Sequence, residues 1–329
     1  MSYDALKYRV LHLNSDEEFE NLALDVFRHQ YMHCRVYREF CNQLKVSVED
    51  ITRVEDIPFL PIEFFKSHTV LSTKAPTDTI FTSSGTTGMQ TSKHHVTDVD
   101  LYKQNFTRIF ETFYASVSDY VILGLLPSYL EREGSSLIYM VDDLIKQTQS
   151  PHSGFYLHNT EALYHKLQEL EDKEQQTLLI GVSFALLEFV ESYAMQLKHT
   201  VIMETGGMKG RRKEMIREEL HTRLKQGFGV EAIHSEYGMT ELLSQGYSKG
   251  DGIFELPQTM KILIRDVEDP LTYISEGKTG GINVIDLANI NSCAFIATKD
   301  LGKYVKKNQL EILGRFDYSD VRGCNLLTL

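Results

Sequence analysis

The residues best suited to chemistry in this chain lie in a glycine- and hydroxyl-rich loop that follows a strand-like run at residues 79–81. The loop contains, in order, Ser83, Ser84, Gly85, Thr86, Thr87 and Gly88. Glycines let a backbone approach a bulky anion, and successive N–H groups and hydroxyls supply the hydrogen bonds that polyphosphate oxygens need. The next lysine is Lys93, so the Walker spacing is absent, and no Rossmann fingerprint occurs. The pattern predicts a phosphate cradle, although an ordinary loop has a similar composition.

A second polar motif follows the strand-like residues 230–234. Its sequence is Ser235-Glu236-Tyr237-Gly238-Met239-Thr240-Glu241. Ligands of open α/β sheets bind at the carboxyl ends of the strands, and both motifs come just after strand candidates. We therefore expect the two motifs to contribute to one site.

The elements that must position these motifs alternate between strand and helix patterns. After a helical pattern at residues 16–44, strand patterns occur at residues 79–82, 120–126, 178–182, 201–204 and 230–234. Helical patterns occur between them at residues 101–114, 135–146, 160–170, 185–197 and 211–226, where Gly227 is expected to end the last helix. This alternation predicts an α/β fold with mostly parallel sheets flanked by helices.

Short alternating runs replace this pattern from residue 252 onwards and predict a smaller β-rich subdomain. We expect three regions. They are an N-terminal helical region (1–60), an α/β core (61–250), and a β-rich subdomain with a short C-terminal tail (251–329).

Composition excludes several classes of protein. The chain has 329 residues, 42% of them apolar, and a net charge of −12, which argues for a large folded core and against nucleic-acid binding. The basic cluster at residues 209–213 fits a solvated face, or else an anion or partner contact. Four scattered cysteines fit neither a disulfide framework nor zinc spacing. The start lacks a signal pattern and no apolar run is long enough to span a membrane, so we expect a soluble, cytoplasmic protein without membrane insertion.

The two polar motifs together resemble the phosphate loop and the Y-G-x-T-E motif of the adenylate-forming (ANL) superfamily, in their usual order. The resemblance implies an ANL-type N-terminal domain that uses ATP and Mg²⁺ to activate a carboxylic acid as acyl-AMP. It implies that residues 83–88 hold the polyphosphate and that Tyr237, followed by Gly238, stacks on adenine. It further implies that Thr240 touches phosphate and that Glu241 coordinates Mg²⁺, which suits a hard cation.

Three further segments carry the same resemblance. Gly206 and Gly207, after a strand, match the adenine-contact loop, although Gly-Gly is also a common turn. Asp300, in Thr298-Lys299-Asp300, resembles the aspartate that binds the ribose hydroxyls. Arg315, in Gly314-Arg315-Phe316-Asp317, resembles the hinge arginine on the ribose-phosphate side.

One family of this superfamily resembles the chain over most of its length, namely the acyl-protein synthetases of LuxE type. The resemblance lies in residues 59–66, 83–88, 205–210, 286–288 and 314–324. The sequence stops at Leu329, where the superfamily normally continues into a domain with a catalytic lysine, so we expect that domain to be missing. In this family the acyl group passes to a cysteine near the C-terminus, which maps onto Cys324, before reduction by a partner.

Arg322, two residues before Cys324, favours the thiolate form of this cysteine. The alternative is that Cys324 is only a packed or surface cysteine. Cys293 is the competing thiol, but its place between a turn and a strand favours a structural role. The expected partners are a carboxylic acid, such as a long-chain fatty acid, and an acyl reductase or acyltransferase protein. Two alternatives stay open: an acyl-CoA, aryl-CoA or carrier-protein ligase, and a nucleotide-binding scaffold without activity.

Some residues near the motifs have no settled role. Lys93 is displaced from the usual lysine position of the superfamily's loop. His94 and His95 do not have the spacing of a metal pair, since adjacent strand positions face opposite ways. They fit a solvated pair or a contact with phosphate or carboxylate. Tyr129 occupies the place of a substrate-gating aromatic residue. The sequence does not indicate the acyl chain length, the final acceptor, the pathway or the oligomeric state.

Overall fold

The computed structural model describes residues 1–83, 90–127, 132–206, 215–306 and 308–315. The helices in this part of the chain are α1 (Tyr3–Leu11), α2 (Asp16–His33), α3 (Arg35–Gln43), α4 (Phe64–Ser67), α5 (Val99–Tyr114), α6 (Ser136–Thr148), α7 (Thr160–Asp172), α8 (Ser183–Ser192) and α9 (Arg217–Phe228). The strands are β1 (Leu60–Pro61), β2 (Thr79–Thr82), β3 (Lys93–Val96), β4 (Val121–Leu125), β5 (Gly154–Phe155), β6 (Thr177–Val182), β7 (Thr200–Thr205), β8 (His234–Tyr237), β9 (Gly246–Ser248), β10 (Ile253–Glu255), β11 (Met260–Arg265), β12 (Gly280–Asp286), β13 (Phe295–Lys306) and β14 (Gln309–Arg315).

The predicted α/β class is confirmed, with a β-rich part near the C-terminus. The chain divides into two compact units, the first formed by Met1–Ile80, Gln90–Asp98 and Ile253–Leu329, and the second by Phe81–Met89 and Val99–Gly252. The first unit therefore combines both ends of the sequence. The three-region division at residues 60 and 250 stays a prediction.

The first unit is built on an antiparallel sheet in the order β11-β12-β13-β14-β10, and β1 pairs with β13 in parallel. Strand β2 begins in this unit and pairs with β3. Helices α1 and α2 begin at serine caps, because the side chains of Ser2 and Ser15 accept backbone N–H groups of the first turn. Helix α2 buries an apolar face that includes Phe27, whose ring contacts Phe295 of β13 edge-on.

The second unit contains a parallel sheet in the order β8-β7-β6-β4-β5, to which β9 adds antiparallel on β8. The chain first passes from β4 to β5 on one side, then returns past β4 to β6 and continues to β8. This reversal is the topological switch point of a doubly wound sheet and lies between β4 and β6, where ligands of such sheets bind. Strands β4 and β6 are buried along their whole length, as parallel strands covered on both faces require.

Several element boundaries differ from the sequence prediction. The predicted helical region at residues 16–44 is interrupted at Cys34, and the helix predicted at residues 185–197 ends at Ser192. The predicted strand at residues 230–234 is wrong, because β8 runs from His234 to Tyr237 and so includes the start of the second polar motif. Helix α9 does not end at Gly227 but continues to Phe228, and Gly229 ends it with a positive φ of 67°. Gly227 has a packing role instead, since a Cβ there would lie 2.4 Å from Cβ of Val190 in α8. Within the described ranges we find no helix that could cross a membrane.

Candidate active site

The candidate site in the second unit lies at the carboxyl edge of its parallel sheet. Strand β2 ends here, and the backbone N–H of Thr82 donates to the carbonyl oxygen of Gly134 at 2.6 Å, in the connection that follows β4. The first residue of the glycine- and hydroxyl-rich loop, Ser83, is half-buried. The start of that loop is thus attached to the connection at the switch point. Ser84, Gly85, Thr86, Thr87, Gly88 and Tyr129 lie outside the described residues.

Gly206 and Tyr237 lie at the ends of neighbouring strands. Thr205, the last residue of β7, is in register with Glu236 of β8, so Gly206 and Tyr237 lie side by side at one edge of the sheet. Gly206 has a positive φ of 69°, which a residue with a side chain adopts at a cost. Tyr237 is 8% exposed, whereas Gly238 after it is exposed. Gly207 lies outside the described residues. The roles of the others in nucleotide binding stay predictions.

The Thr240-Glu241 pair follows in a tight turn. Thr240 is half-buried and Glu241 is 4% exposed. The chain beyond them is attached to helix α5, because the buried amide of Asn105 donates to the carbonyl oxygen of Leu243 at 2.8 Å and to Oγ of Ser244 at 2.9 Å. Asn105 gave no signal in the sequence. Its amide fixes the position of the segment that carries Glu241.

A buried polar cluster lies on one face of these strand ends. Glu204 of β7 is in register with Ser235 of β8, and both are buried. Oγ of Ser183, at the start of α8, donates to Oε2 of Glu204 at 2.8 Å. Nε2 of His221, from α9, lies 3.6 Å from Oε1 of the same carboxylate. Three elements of the second unit, α8, α9 and β8, therefore place polar groups around this carboxylate of β7.

The surroundings of Glu204 favour its charged form. Burial acts to raise the pKa of this carboxyl, and the contacts with His221 and Ser235 oppose that effect. The charge of Arg217 and the hydroxyl of Ser183 add to these contacts, so the pKa of Glu204 is lowered overall. Glu204 is thus a buried carboxylate whose charge is compensated by its neighbours.

Glu236 has the opposite character. It lies on the other face of the sheet from Glu204, since it is the next position along the neighbouring strand, and it is half-buried. Burial raises its pKa to about 7, with the hydroxyl of Thr205 opposing the shift and the charge of Glu204 adding to it. Oγ1 of Thr205 donates to Oε2 of Glu236 at 2.6 Å. A Cβ at Gly238 would lie 2.5 Å from Oε1, so the carboxyl group occupies the space that a side chain at residue 238 would need.

The elevated pKa of Glu236 makes stability depend on pH. The unfolded carboxyl ionises near its ordinary pKa of 4.5, whereas the folded one keeps its proton until about 7. Folding is therefore favoured by this group below pH 4.5, and the contribution is lost as the pH rises to 7. Relative to Glu236→Gln, the wild type is expected to lose about 2 kcal/mol of unfolding free energy between pH 5 and pH 8. Urea denaturation at both pH values measures the difference.

The control for this experiment is Glu231→Gln, which changes an exposed carboxylate just before β8. Its stability is expected to follow the wild type at both pH values. If Glu236→Gln also follows the wild type, the carboxyl group of Glu236 is not protonated in the folded chain at pH 5 to 7.

The other two predicted nucleotide contacts belong to the first unit. Asp300 of β13 is paired in register with Arg315 of β14, and Nε of Arg315 lies 3.8 Å from Oδ1 of Asp300. The arginine side chain is 86% exposed and the aspartate 14% exposed. The segment before Asp300 is fixed by Arg265 of β11, whose Nη2 donates to the carbonyl oxygen of Thr298 at 2.6 Å. The sequence assigns Asp300 to the ribose hydroxyls and Arg315 to the ribose-phosphate side. The sheet brings these two residues together, while their roles with the nucleotide stay predictions.

The cysteines of the described part of the chain are unsuited to nucleophilic chemistry. Cys34, Cys41 and Cys293 are all buried in the first unit. Burial raises the pKa of all three thiols, to about 12 for Cys41 and well above its ordinary value for Cys293. Sγ of Cys293 also donates to the carbonyl oxygen of Phe295 at 3.4 Å, which agrees with the structural role predicted for it. Cys324 lies outside the described residues.

The side chains near the motifs suit a metal ion that is held mainly by the oxygen atoms of a bound substrate. No group of three or more His, Cys, Asp and Glu side chains that could hold a metal ion occurs among the described residues. Mg²⁺ commonly takes one or two carboxylates together with phosphate oxygens and water. Glu241 at the carboxyl edge of the sheet fits that pattern. His94 is buried and His95 half-buried on the unit-one strand β3, so the adjacent pair faces opposite sides, as predicted.

Reasoning from the sequence missed the cluster formed by Ser183, Glu204, His221 and Ser235. One signal was available. Glu204 interrupts an apolar strand run, Val201-Ile202-Met203, and a charged residue at such a place is rarely buried without partners. Those partners come from α8, α9 and β8, and nothing in the sequence pattern links these elements.

Comparison with solved structures gives the class of fold. The chain resembles ATP-bound MatB from Rhodopseudomonas palustris with a TM-score of 0.54 at 17% identity, over 72% of this chain and 47% of MatB. It also resembles 2-hydroxyisobutyryl-CoA ligase in complex with 2-HIB-AMP and CoA, with a TM-score of 0.64 at 14% identity, over 92% of this chain and 69% of that one. The predicted fold of the adenylate-forming superfamily is confirmed.

Comparison of sequences narrows the resemblance to one family. The family model of the acyl-protein synthetases, LuxE, matches residues 5–107. The long-chain-fatty-acid–luciferin-component ligase of Photorhabdus luminescens is 43% identical over 72 residues, which is 22% of this chain and 61% of that protein. The predicted resemblance to LuxE-type acyl-protein synthetases is thus confirmed. The chain spans less than two thirds of this relative and about half the length of MatB.

Proposed function

We propose that this protein is an AMP-forming ligase that activates a carboxylic acid, such as a long-chain fatty acid, with ATP. We further propose that it transfers the acyl group to its own Cys324 for delivery to a partner protein, such as an acyl reductase or acyltransferase. The family match at residues 5–107 and the fold of ATP-bound neighbours support the first step. The second step is supported by the resemblance to the LuxE family and by the burial of the other three thiols.

The observation that carries the proposal is the arrangement at the carboxyl edge of the parallel sheet. Here the Gly206 turn and the segment from Tyr237 to Glu241 leave the neighbouring strands β7 and β8. The loop that begins at Ser83 starts at the connection after β4, because Thr82 is bonded to Gly134. Glycines at positive φ and exposed backbone N–H groups suit a polyphosphate and a purine at such an edge.

The proposal gives each predicted residue one role. Residues 83–88 hold the β- and γ-phosphates, and Tyr237 stacks on adenine, which Gly206 and Gly207 also contact. Thr240 contacts phosphate and Glu241 holds Mg²⁺, which neutralises phosphate charge when bound. Asp300 binds the ribose hydroxyls and Arg315 the ribose-phosphate side.

The proposed reaction consists of two nucleophilic displacement steps. A carboxylate oxygen of the acid attacks the α-phosphorus of ATP, the bond to the β-phosphate oxygen breaks, and pyrophosphate leaves. The Cys324 thiolate then attacks the acyl carbonyl of the acyl-adenylate, and AMP leaves with the electron pair of the broken C–O bond. A thiolate is a good nucleophile toward such a mixed anhydride, and the thiol proton passes to solvent.

Pyrophosphate exchange tests the first step. Labelled pyrophosphate is expected to enter ATP only when a suitable carboxylic acid is present, and a screen of acids by chain length identifies the substrate. If ATP binds without exchange for any acid, the protein is a nucleotide-binding scaffold and the proposal is wrong.

A cysteine variant tests the second step. Cys324→Ser is expected to keep acid-dependent exchange within about twofold of the wild type but to lose hydroxylamine-sensitive acyl label on the protein, since only the acceptor is removed. The control, Cys41→Ala, removes a buried thiol and is expected to keep the label. If Cys324→Ser still accumulates acyl thioester, the assignment of Cys324 is wrong. If acyl transfer requires added coenzyme A and is unchanged in this variant, the chain is an acyl-CoA ligase.

A further inference from the structure

The buried carboxylate of Glu204 has no role in the reaction above, yet three other elements of the second unit, α8, α9 and β8, place polar groups around it. It is 6% exposed, and its partners Ser183, Ser235 and His221 are all 5% exposed or less. Burying a charge is costly unless neighbours compensate it, so a cluster of this kind usually has a specific structural or functional purpose. Its position, one residue before the end of β7, indicates what that purpose is.

The Ser183 hydroxyl connects Glu204 to the Gly206 turn. Its Oγ lies 2.8 Å from Oε2 of Glu204 and 2.9 Å from the carbonyl oxygen of Gly206. Gly206 follows the last residue of β7 and has a φ of 69°. Both of the atoms that Oγ contacts are acceptors and a serine hydroxyl has one hydrogen, so that hydrogen is shared between the carboxylate and the carbonyl oxygen. Ser183 therefore restrains the carbonyl group of Gly206.

Ser235 of the neighbouring strand lies beside the same carboxylate. It is in register with Glu204, two residues before Tyr237. His221 approaches from α9, with Nε2 3.6 Å from Oε1. Within the described residues, Oγ of Ser235 and Nε2 of His221 have no hydrogen-bond partner, so the hydrogen-bonded path from the carboxylate leads through Ser183 to Gly206.

We propose that Glu204 and Ser183 are positioning residues that hold Gly206 in place, beside the end of β8, for the base of ATP. This inference rests on the proposed function. Neither side chain contacts the nucleotide, since both are buried beneath the strand ends. Their loss is expected to weaken ATP binding more than it slows the exchange reaction at saturating ATP.

The test measures the KM for ATP in acid-dependent pyrophosphate exchange, together with the urea midpoint of each variant. Ser183→Ala is expected to raise the KM for ATP about tenfold, with the maximal exchange rate within about threefold of the wild type. Ser183→Thr keeps the hydroxyl and is expected to restore most of the affinity. Glu204→Gln is expected to raise the KM similarly. The double variant should be no worse than either single one, because both act through the same contact.

The matched control lies at the other end of the same strand. Glu171 of α7 accepts the backbone N–H groups of Lys198 and His199, at 2.5 and 3.1 Å, just before β7 begins. Glu171→Gln is expected to lower the urea midpoint and leave the KM for ATP unchanged. It therefore separates loss of strand stability from loss of positioning.

Several outcomes decide the question. If Ser183→Ala and Glu204→Gln lower the urea midpoint but keep the wild-type KM for ATP, the cluster is structural only and the inference is wrong. If the effects of the two substitutions on the KM for ATP add up in the double variant, Ser183 and Glu204 do not act through the same contact. If the wild type itself shows no exchange, the proposed function fails first. Calorimetric titration with ATP then tests the positioning role separately. If the wild type and Ser183→Ala bind ATP with equal affinity, the inference is wrong.

Discussion

Glu241→Ala is expected to lower acid-dependent pyrophosphate exchange by about a hundredfold or more, because the proposed reaction needs a carboxylate to hold Mg²⁺ against the phosphates. The residue is 4% exposed, and its segment is held in place by Asn105. Glu241→Gln keeps the size of the side chain and removes its charge, so it should lose nearly as much activity. Exchange measured over a series of Mg²⁺ concentrations should show that Glu241→Gln needs more Mg²⁺ to reach its own maximum.

Two controls separate a metal role from a loss of structure. Glu231→Ala removes an exposed carboxylate from the same part of the chain and is expected to keep full exchange. Urea denaturation of Glu241→Gln should show a folded protein. If a folded Glu241→Gln exchanges pyrophosphate within about threefold of the wild type at every Mg²⁺ concentration, Glu241 is not the metal ligand.

The second large effect is on stability and concerns Gln30 of α2, which is fully buried. Its Nε2 donates to the carbonyl oxygens of Asn289 and Ile290, at 2.7 and 3.1 Å, and its Oε1 accepts the N–H of Ala294 at 2.9 Å. One side chain thereby makes hydrogen bonds to three backbone groups of the buried loop between β12 and β13. Gln30→Leu fills a similar volume but leaves these backbone groups without their partner. We expect it to reduce the unfolding free energy by about 4 kcal/mol.

Equilibrium urea denaturation measures this loss, and Gln43→Leu is the control, since Gln43 is exposed at the end of α3. The control is expected to change the unfolding free energy by less than about 0.5 kcal/mol. The carbonyl oxygen of Ile290 keeps a second donor, the Ser72 hydroxyl at 2.7 Å, so the loss comes chiefly from Asn289 and Ala294. A Gln30→Leu variant within about 1 kcal/mol of the wild type would show that the loop finds other partners.

The fold was predicted well where local pattern decides it. The buried strands β4 and β6 are apolar runs between helical patterns, and the β-rich region predicted from residue 252 contains strands β10 to β14. The predicted start of β8 was wrong because residues 230–234 have the composition of a strand. The actual position of β8 is set by its pairing with β7 and β9. The predicted end of α9 at Gly227 was wrong because this glycine lies inside the helix, where it packs against Val190. The sequence does not reveal that contact.

Prediction of the site depended on a family resemblance and not on periodicity. Motif order suggested Tyr237, Glu241 and Asp300, but no pattern indicated that Asn105 holds the segment after Glu241 or that His221 faces Glu204. Such contacts join residues far apart in the sequence and depend on tertiary packing. Nor does residue type distinguish Glu204 from Glu236. Their pKa values move in opposite directions because one carboxyl has several compensating partners and the other chiefly a single hydroxyl.

The burial of Cys34, Cys41 and Cys293 has a practical consequence for labelling. A maleimide reagent reacts with a thiolate, and these three thiols are accessible only when the first unit opens. The sequence holds four cysteines, so any alkylation of the native protein that is faster than unfolding is modification of Cys324. Labelling of the native protein by a fluorescent maleimide would therefore report on that residue without prior mutagenesis. Protection from the label after incubation with ATP and a fatty acid would then count the acylated fraction directly.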